Sequence, residues 1–198
     1  DQLRGATGRR PNGDLLEAQR AGIALDERGY ITTDDHLRTS AEGVWALGDV
    51  TNPRQLKHTA NAEARIVAHN LTHPDDLHSI DRRFVPHAVF GHPQVGSIGP
   101  TEKELVDSGR PYLASTRRYS DTAYGWAMED TTGFAKLLAD PDTRLLLGAH
   151  IVGPQAPTLV QQLIQGMATG LTVDQMAHDQ LYIHPAMPEL LEQALLDL

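Results

Sequence analysis

The segment THPDDLHSIDRR at residues 72–83 constrains the fold of this 198-residue chain more than any other stretch. It is built from His, Asp, Arg, Thr, Ser and a Pro, with only Leu77 and Ile80 to bury. A polar segment of that kind carries too little apolar surface to run through a core, so it passes over the surface and separates what it joins. Two regions are therefore expected, 1–82 and 83–198, each with its own core. The length is sufficient, because the fraction of surface buried on folding rises with chain size.

The first region reads as short strands and turns. GIAL (22–25), GYITTD (29–34) and GVWALGDV (43–50) are brief apolar runs set off by Gly, Asp or Asn, with an apolar strand expected over Val44–Leu47. KHTANAEARIVAHNLTH then reads as a helix beginning near Lys57. In the second region strands are expected at HAVF, GFAKLLA and LLLGAHIV. Thr101 and Glu104 have the spacing of a capping box before ELVDSG, with Gly109 as the stop. Leu159, Val160, Leu163, Ile164 and Met167 recur at helical spacing and end at Gly170. Strands and helices mixed in this order predict an α+β fold.

Charge and composition narrow the partners. Lys and Arg total 17 against 26 Asp and Glu, a net −9, and the basic residues are dispersed. Neither nucleic acid nor an anionic membrane suits such a surface. The chain has no cysteine, which removes disulfides and thiolate metal sites from it and fits a cytoplasmic protein. No apolar run is long enough to span a bilayer. The opening DQLRGATGRRPNGD has no initiator Met and reads as a strand-to-turn element within the back half of a longer protein.

Three places carry chemistry. Gly48 and Asp49 follow an apolar run, where a Gly permits close backbone approach and a carboxylate can accept hydrogen bonds from sugar-like hydroxyls. An ordinary Gly-Asp turn reads the same way. Lys57 and His58 open a helix whose free N–H groups and positive dipole end suit an electron-rich atom, although a solvent-capped helix end has the same sequence. His184 stands in HPAMPE with Pro185, Pro188 and Glu189, so that Glu189 falls in the first turn of a helix formed by ELLEQALL. A carboxylate bonded to one ring nitrogen fixes the tautomer and leaves the other nitrogen to move protons. A purely structural His-Glu contact at a helix entrance is the competing reading. His36, His69, His73, His78, His87, His92 and His150 show no HExxH or comparable ligand spacing, so they read as surface or packing residues and no metal site is expected. Asn70-Leu71-Thr72 is a glycosylation sequon without meaning in a cytoplasmic chain.

Six stretches occur in an order that resembles one known family. ATGRRPN (6–12), TSAEGVWALGDV (39–50), FGHPQVGSIGPTEKEL (90–105), GFAKLL (133–138), LGAHIVGPQA (147–156) and HPAMPE (184–189) resemble the pyridine nucleotide-disulfide oxidoreductases over nearly the whole chain. Within it, YSDTAYGWAMEDTTGFAKLL (119–138) and LYIHPAMPELLEQALL (181–196) most resemble the mycothione reductase branch. Two features depart from the family: polar DQLRG precedes ATG where an apolar strand is usual, and Ala186 follows the His-Pro pair where Thr is common.

The resemblance implies that 1–82 is the end of an FAD-binding portion and 83–198 a dimerisation domain. It places Thr7 and Gly8 near the flavin, Gly48 and Asp49 at its ribityl or phosphate region, and the helix start at Lys57 and His58 against its pyrimidine edge. His184 and Glu189 match a catalytic pair, after a His-Pro bond expected to be cis. FAD and NADPH are the implied cofactors, the NADPH site lying outside this chain together with the redox cysteines. A homodimer with an active site shared across subunits is implied, acting on a small-molecule disulfide, mycothiol disulfide in the branch named. Dihydrolipoyl dehydrogenase, glutathione reductase and a non-catalytic dimerisation module are the alternatives.

Overall fold

The computed structural model describes residues 2–198. Contacts divide the chain into two compact units, Asp1–Arg82 and Arg83–Leu198.

In the first unit the short apolar runs do not become strands. Leu25 bridges Ile31, and Arg38 bridges Trp45, as isolated antiparallel contacts. The run expected as a strand over Val44–Leu47 is therefore irregular and leads into a 3-10 turn, Gly48–Val50. The cause lies in the backbone: Gly22, Gly29, Leu37, Gly43 and Gly48 all have positive φ, which turns the chain before a ladder can lengthen. The opening segment after Asp1, which is outside the described residues, stays exposed through Arg10. The regular element is helix α1, Lys57–Thr72. Its buried stripe is Thr59, Glu63, Val67 and Asn70, a largely polar set at spacings of four, four and three.

The second unit is an antiparallel sheet with helices on both faces. Its strands are β1 (His87–Val89), β2 (Val95–Ile98), β3 (Leu113–Arg118), β4 (Phe134–Ala139) and β5 (Leu146–Val152), in the order β1-β2-β5-β4-β3. Every pairing is antiparallel. Helices α2 (Glu102–Ser108), α3 (Ala123–Ala127), α4 (Ala156–Thr169), α5 (Val173–His178) and α6 (Glu189–Leu196) complete it. Thr101 and Glu104 form the expected capping box, and Gly109 and Gly170 end α2 and α4 in the left-handed conformation.

Strand alternation sorts the two faces. Ala135, Leu137, Ala149 and Ile151 point into one core with Leu159 and Leu163 of α4, Val173 and Met176 of α5, and Leu190, Leu191, Ala194 and Leu195 of α6. Burying each Leu contributes roughly 1.5–3 kcal/mol. Lys136 and His150 face the other way; Lys136 pairs there with Glu102 of α2. Helix α6 is fastened further by Ser115, whose hydroxyl donates to the Ala194 carbonyl at 2.5 Å, and by the Arg117–Asp197 ion pair.

His150 sits on that second face in register with Ser97. Its Nε2–H donates to the Pro100 carbonyl at 3.0 Å, which leaves Nδ1 to accept from the Ser97 hydroxyl at 2.5 Å. Burial lowers its pKa below the usual 6.5. The unfolded chain then binds a proton that folded His150 refuses, so this group's contribution to stability is present above pH 6.5 and is lost as pH falls. Urea midpoints measured at about pH 7 and pH 5.5 should fall for the parent and fall less for His150→Asn.

Candidate active site

Six candidates fall in the first unit, Gly48, Asp49, Lys57 and His58 close together in sequence and Thr7 and Gly8 well before them, and the fold explains how they are held. The turn Gly48–Val50 packs against α1. Gly48 has φ +76°, a conformation suited to Gly, and a Cβ there would stand 3.4 Å from that of Ala60. Its N–H donates to Glu63 Oε2 at 2.7 Å. Glu63 is fully buried, and its Oε1 has no hydrogen-bond partner among the described residues, with Arg82 Nη2 3.6 Å from it. Sequence reading passed over Glu63. An acid in step with Thr59, Val67 and Asn70 on one helix stripe was the available signal.

Asp49 follows with its carboxylate half exposed and one long contact, 3.5 Å from Arg9. That contact lays the segment carrying Thr7 and Gly8 alongside the turn; both residues are exposed, and Gly8 has φ +101°. Lys57 and His58 open α1, which has no side-chain cap and no acidic residue in its first turn. Lys57 itself reaches along the helix to Asn61. The positive end of the α1 dipole is thus uncompensated by its own side chains.

The second unit holds the other pair. The His184-Pro185 bond is cis, as expected. His184 Nδ1 lies 2.7 Å from Glu189 Oε1. The carboxylate can only accept, so Nδ1 carries the proton and Nε2 is turned outward for chemistry. Glu189 Oε2 accepts from the Ala186 N–H at 3.2 Å. The His184 hydrogen bond and the Ala186 amide hold the Glu189 carboxyl below its ordinary pKa against the opposing effect of burial. Exposure separates the two roles: the Glu189 side chain is 13% exposed and that of His184 is 69% exposed. Pro188 is the N-cap of α6 at φ −58°, and Met187, Leu190 and Leu191 anchor the turn in the core. The result is a fixed carboxylate holding an imidazole that faces outward, flanked by exposed Leu181 and Ile183.

The remaining histidines are not simply scattered. His69, His73 and His78 stack on one another, and His69 and His78 approach Asp76. His69 and His73 are four residues apart, at the end of one helix face, and the turn after α1 brings Asp76 and His78 back to them.

Comparison with known proteins identifies the family. Residues 85–195, more than half of the chain, match the pyridine nucleotide-disulphide oxidoreductase dimerisation domain, and residues 1–65 match the pyridine nucleotide-disulphide oxidoreductase family. The chain is 50% identical to a mycothione reductase of Mycobacterium tuberculosis, over 100% of its own length and 44% of that protein's. It is 32% identical to a dihydrolipoyl dehydrogenase of Corynebacterium glutamicum, over 98% of the chain and 42% of the relative. The HOCl-induced flavoprotein disulfide reductase RclA of Escherichia coli superposes with a TM-score of 0.86 at 32% identity, covering 96% of this chain and 43% of that one. The chain therefore spans less than half the length of these relatives. With an α+β fold, an interface-type second unit and matches in both halves, it belongs to the pyridine nucleotide-disulphide oxidoreductase family.

Proposed function

We propose that this chain is part of a cytoplasmic, FAD-dependent and NADPH-using reductase that converts mycothiol disulfide to mycothiol, and that His184 is its general acid-base. The observation that carries this reading is the 2.7 Å pair of exposed His184 and buried-side Glu189. The 50% identity to a mycothione reductase favours mycothiol disulfide over lipoamide as the substrate.

In this reading 1–82 closes the FAD-binding portion and 83–198 is the dimerisation domain. The first unit's residues fit a flavin. Asp49 offers a half-exposed carboxylate to hydroxyl groups, Gly48 permits close approach, and the uncapped start of α1 at Lys57 and His58 suits electron-rich ring atoms. Thr7 and Gly8 line the exposed segment that Arg9 lays beside Asp49. A bound flavin supplies the two-electron relay between nicotinamide and a redox disulfide.

The second unit supplies the proton. His184, protonated at Nε2 and held at Nδ1 by Glu189, gives that proton to the mycothiol thiolate released when an enzyme thiolate attacks the substrate disulfide. Glu189 is a positioning residue, because it acts through His184. The exposed Leu181 and Ile183 beside His184 suit burial against a second subunit, so the imidazole serves the partner's cysteine pair in a homodimer.

Turnover of mycothiol disulfide, lipoamide and glutathione disulfide by the full-length protein with NADPH tests the substrate. Mycothiol disulfide should give the highest kcat/KM; a preference for lipoamide would make the protein a dihydrolipoyl dehydrogenase instead. Glu189→Ala removes a charge-assisted hydrogen bond worth about 1.5–3 kcal/mol, so disulfide turnover should fall roughly 10- to 150-fold. Flavin reduction by NADPH should be unchanged.

A further inference from the structure

The turn that follows α1 gathers imidazoles that the disulfide chemistry does not use. His69 lies in the last turn of α1 and His73 is its C-cap. The chain then folds back, with Asp76 N–H donating to the His73 carbonyl at 3.1 Å. Asn70, 2% exposed, fixes the return: its Oδ1 accepts from His78 N–H at 2.8 Å, and its Nδ2 donates to the carbonyls of His78 at 2.9 Å and His36 at 3.2 Å. Ile80 N–H adds a bond to the Asp35 carbonyl at 3.0 Å. The sequon Asn is thus a buried clamp.

The clamp sets the His78 ring over that of His69, with centroids 3.7 Å apart and planes at 14°. Asp76 Oδ2 stands 3.5 Å from His69 Nε2. One ligand atom from each of His69, Asp76 and His78 lies within 4.8 Å of the others. We propose that these three residues bind a borderline divalent transition-metal ion of the Zn2+ class, with water completing the shell.

The donor set selects the ion. Two imidazole nitrogens and one carboxylate oxygen suit zinc and its neighbours, whereas calcium and magnesium take oxygen ligands. Ligands about 2.0–2.2 Å from a common ion are at most about 4.4 Å from one another, so the required movement is small. His78 provides it: its side chain is exposed while its backbone is pinned, so the ring can swing out of the parallel stack to aim a lone pair at the ion. His69 is half-buried and already oriented by the helix. Its Nε2–H now donates to the Asp76 carbonyl at 2.8 Å, and the ion takes the place of that proton. Pre-set backbone geometry lowers the ordering cost that weakens casual surface histidine pairs.

Zinc titration of the full-length protein by calorimetry, with its redox cysteines kept oxidised, tests the site. The parent should bind zinc saturably; His78→Ala and Asp76→Asn should each weaken this at least about tenfold, and His178→Ala should leave it unchanged. Both substituted side chains are exposed, so the fold does not depend on them. Parent-like zinc affinity in both His78→Ala and Asp76→Asn, or a parent that fails to saturate, would overturn the proposal.

Discussion

Replacing His184 by Gln in the full-length enzyme should slow disulfide reduction by roughly 10²- to 10⁴-fold, the range a positioned general acid-base contributes. Reduction of the flavin by NADPH should proceed at the parent rate. The split follows from position. The His184 side chain is 69% exposed at the rim of the second unit and is held there by Glu189 and the α6 entrance, so its substitution removes a proton donor without disturbing a core. A stopped-flow experiment that follows the two half-reactions separately reads both rates. Equal loss in both would mean that His184 supports the fold or the flavin and is no proton donor.

Glu63→Ala should have the largest effect in the first unit. Glu63 is fully buried, accepts the Gly48 N–H at 2.7 Å and faces the Arg82 guanidinium at 3.6 Å. Removing it leaves a buried backbone donor without its acceptor, at a cost of about 2–3 kcal/mol. The Gly48–Val50 turn that presents Asp49 loses its tether at the same time, so flavin content of the purified protein should drop with stability. Glu63→Gln keeps an oxygen for the Gly48 N–H and should lose less of both. Chemical denaturation alongside flavin absorbance measures the two quantities together. A Glu63→Ala protein that is as stable and as flavin-loaded as its parent would show that the turn is held by other contacts.

The features legible in the sequence are those whose cause is local. The Thr101–Glu104 box, the Gly109 and Gly170 stops, the start of α1 at Lys57 and the His184–Glu189 turn all depend on residues within a few positions of each other. Strands β2 and β3 escaped because their reasons are distant. VGSI carries Gly96, where a Cβ would come within 2.6 Å of the Ala156 carbonyl oxygen, so the glycine marks the close approach of α4. LASTRR looks like a polar loop, yet Ser115 and Arg117 are spent on Ala194 and Asp197 of the last helical segment. The opposite error occurred in the first unit, where apolar runs suggested strands and positive φ at Leu37, Gly43 and Gly48 broke them into bridges. The burial of Glu63 and Asn70 went unread for one shared reason: a polar residue on a helix is taken as solvated until its buried partners are known.

A mixed dimer tests most directly whether His184 acts on a nucleophile supplied by another chain. One subunit carries His184→Gln with its cysteine pair intact, and the other keeps His184 but lacks the cysteines. If the imidazole serves the partner's disulfide, one of the two sites is complete, and the mixed dimer should show about half the parental disulfide reductase activity although each homodimer is nearly inactive. An inactive mixed dimer, with flavin reduction by NADPH intact in both subunits, would contradict a shared site and place the proton donor for each cysteine pair on its own chain.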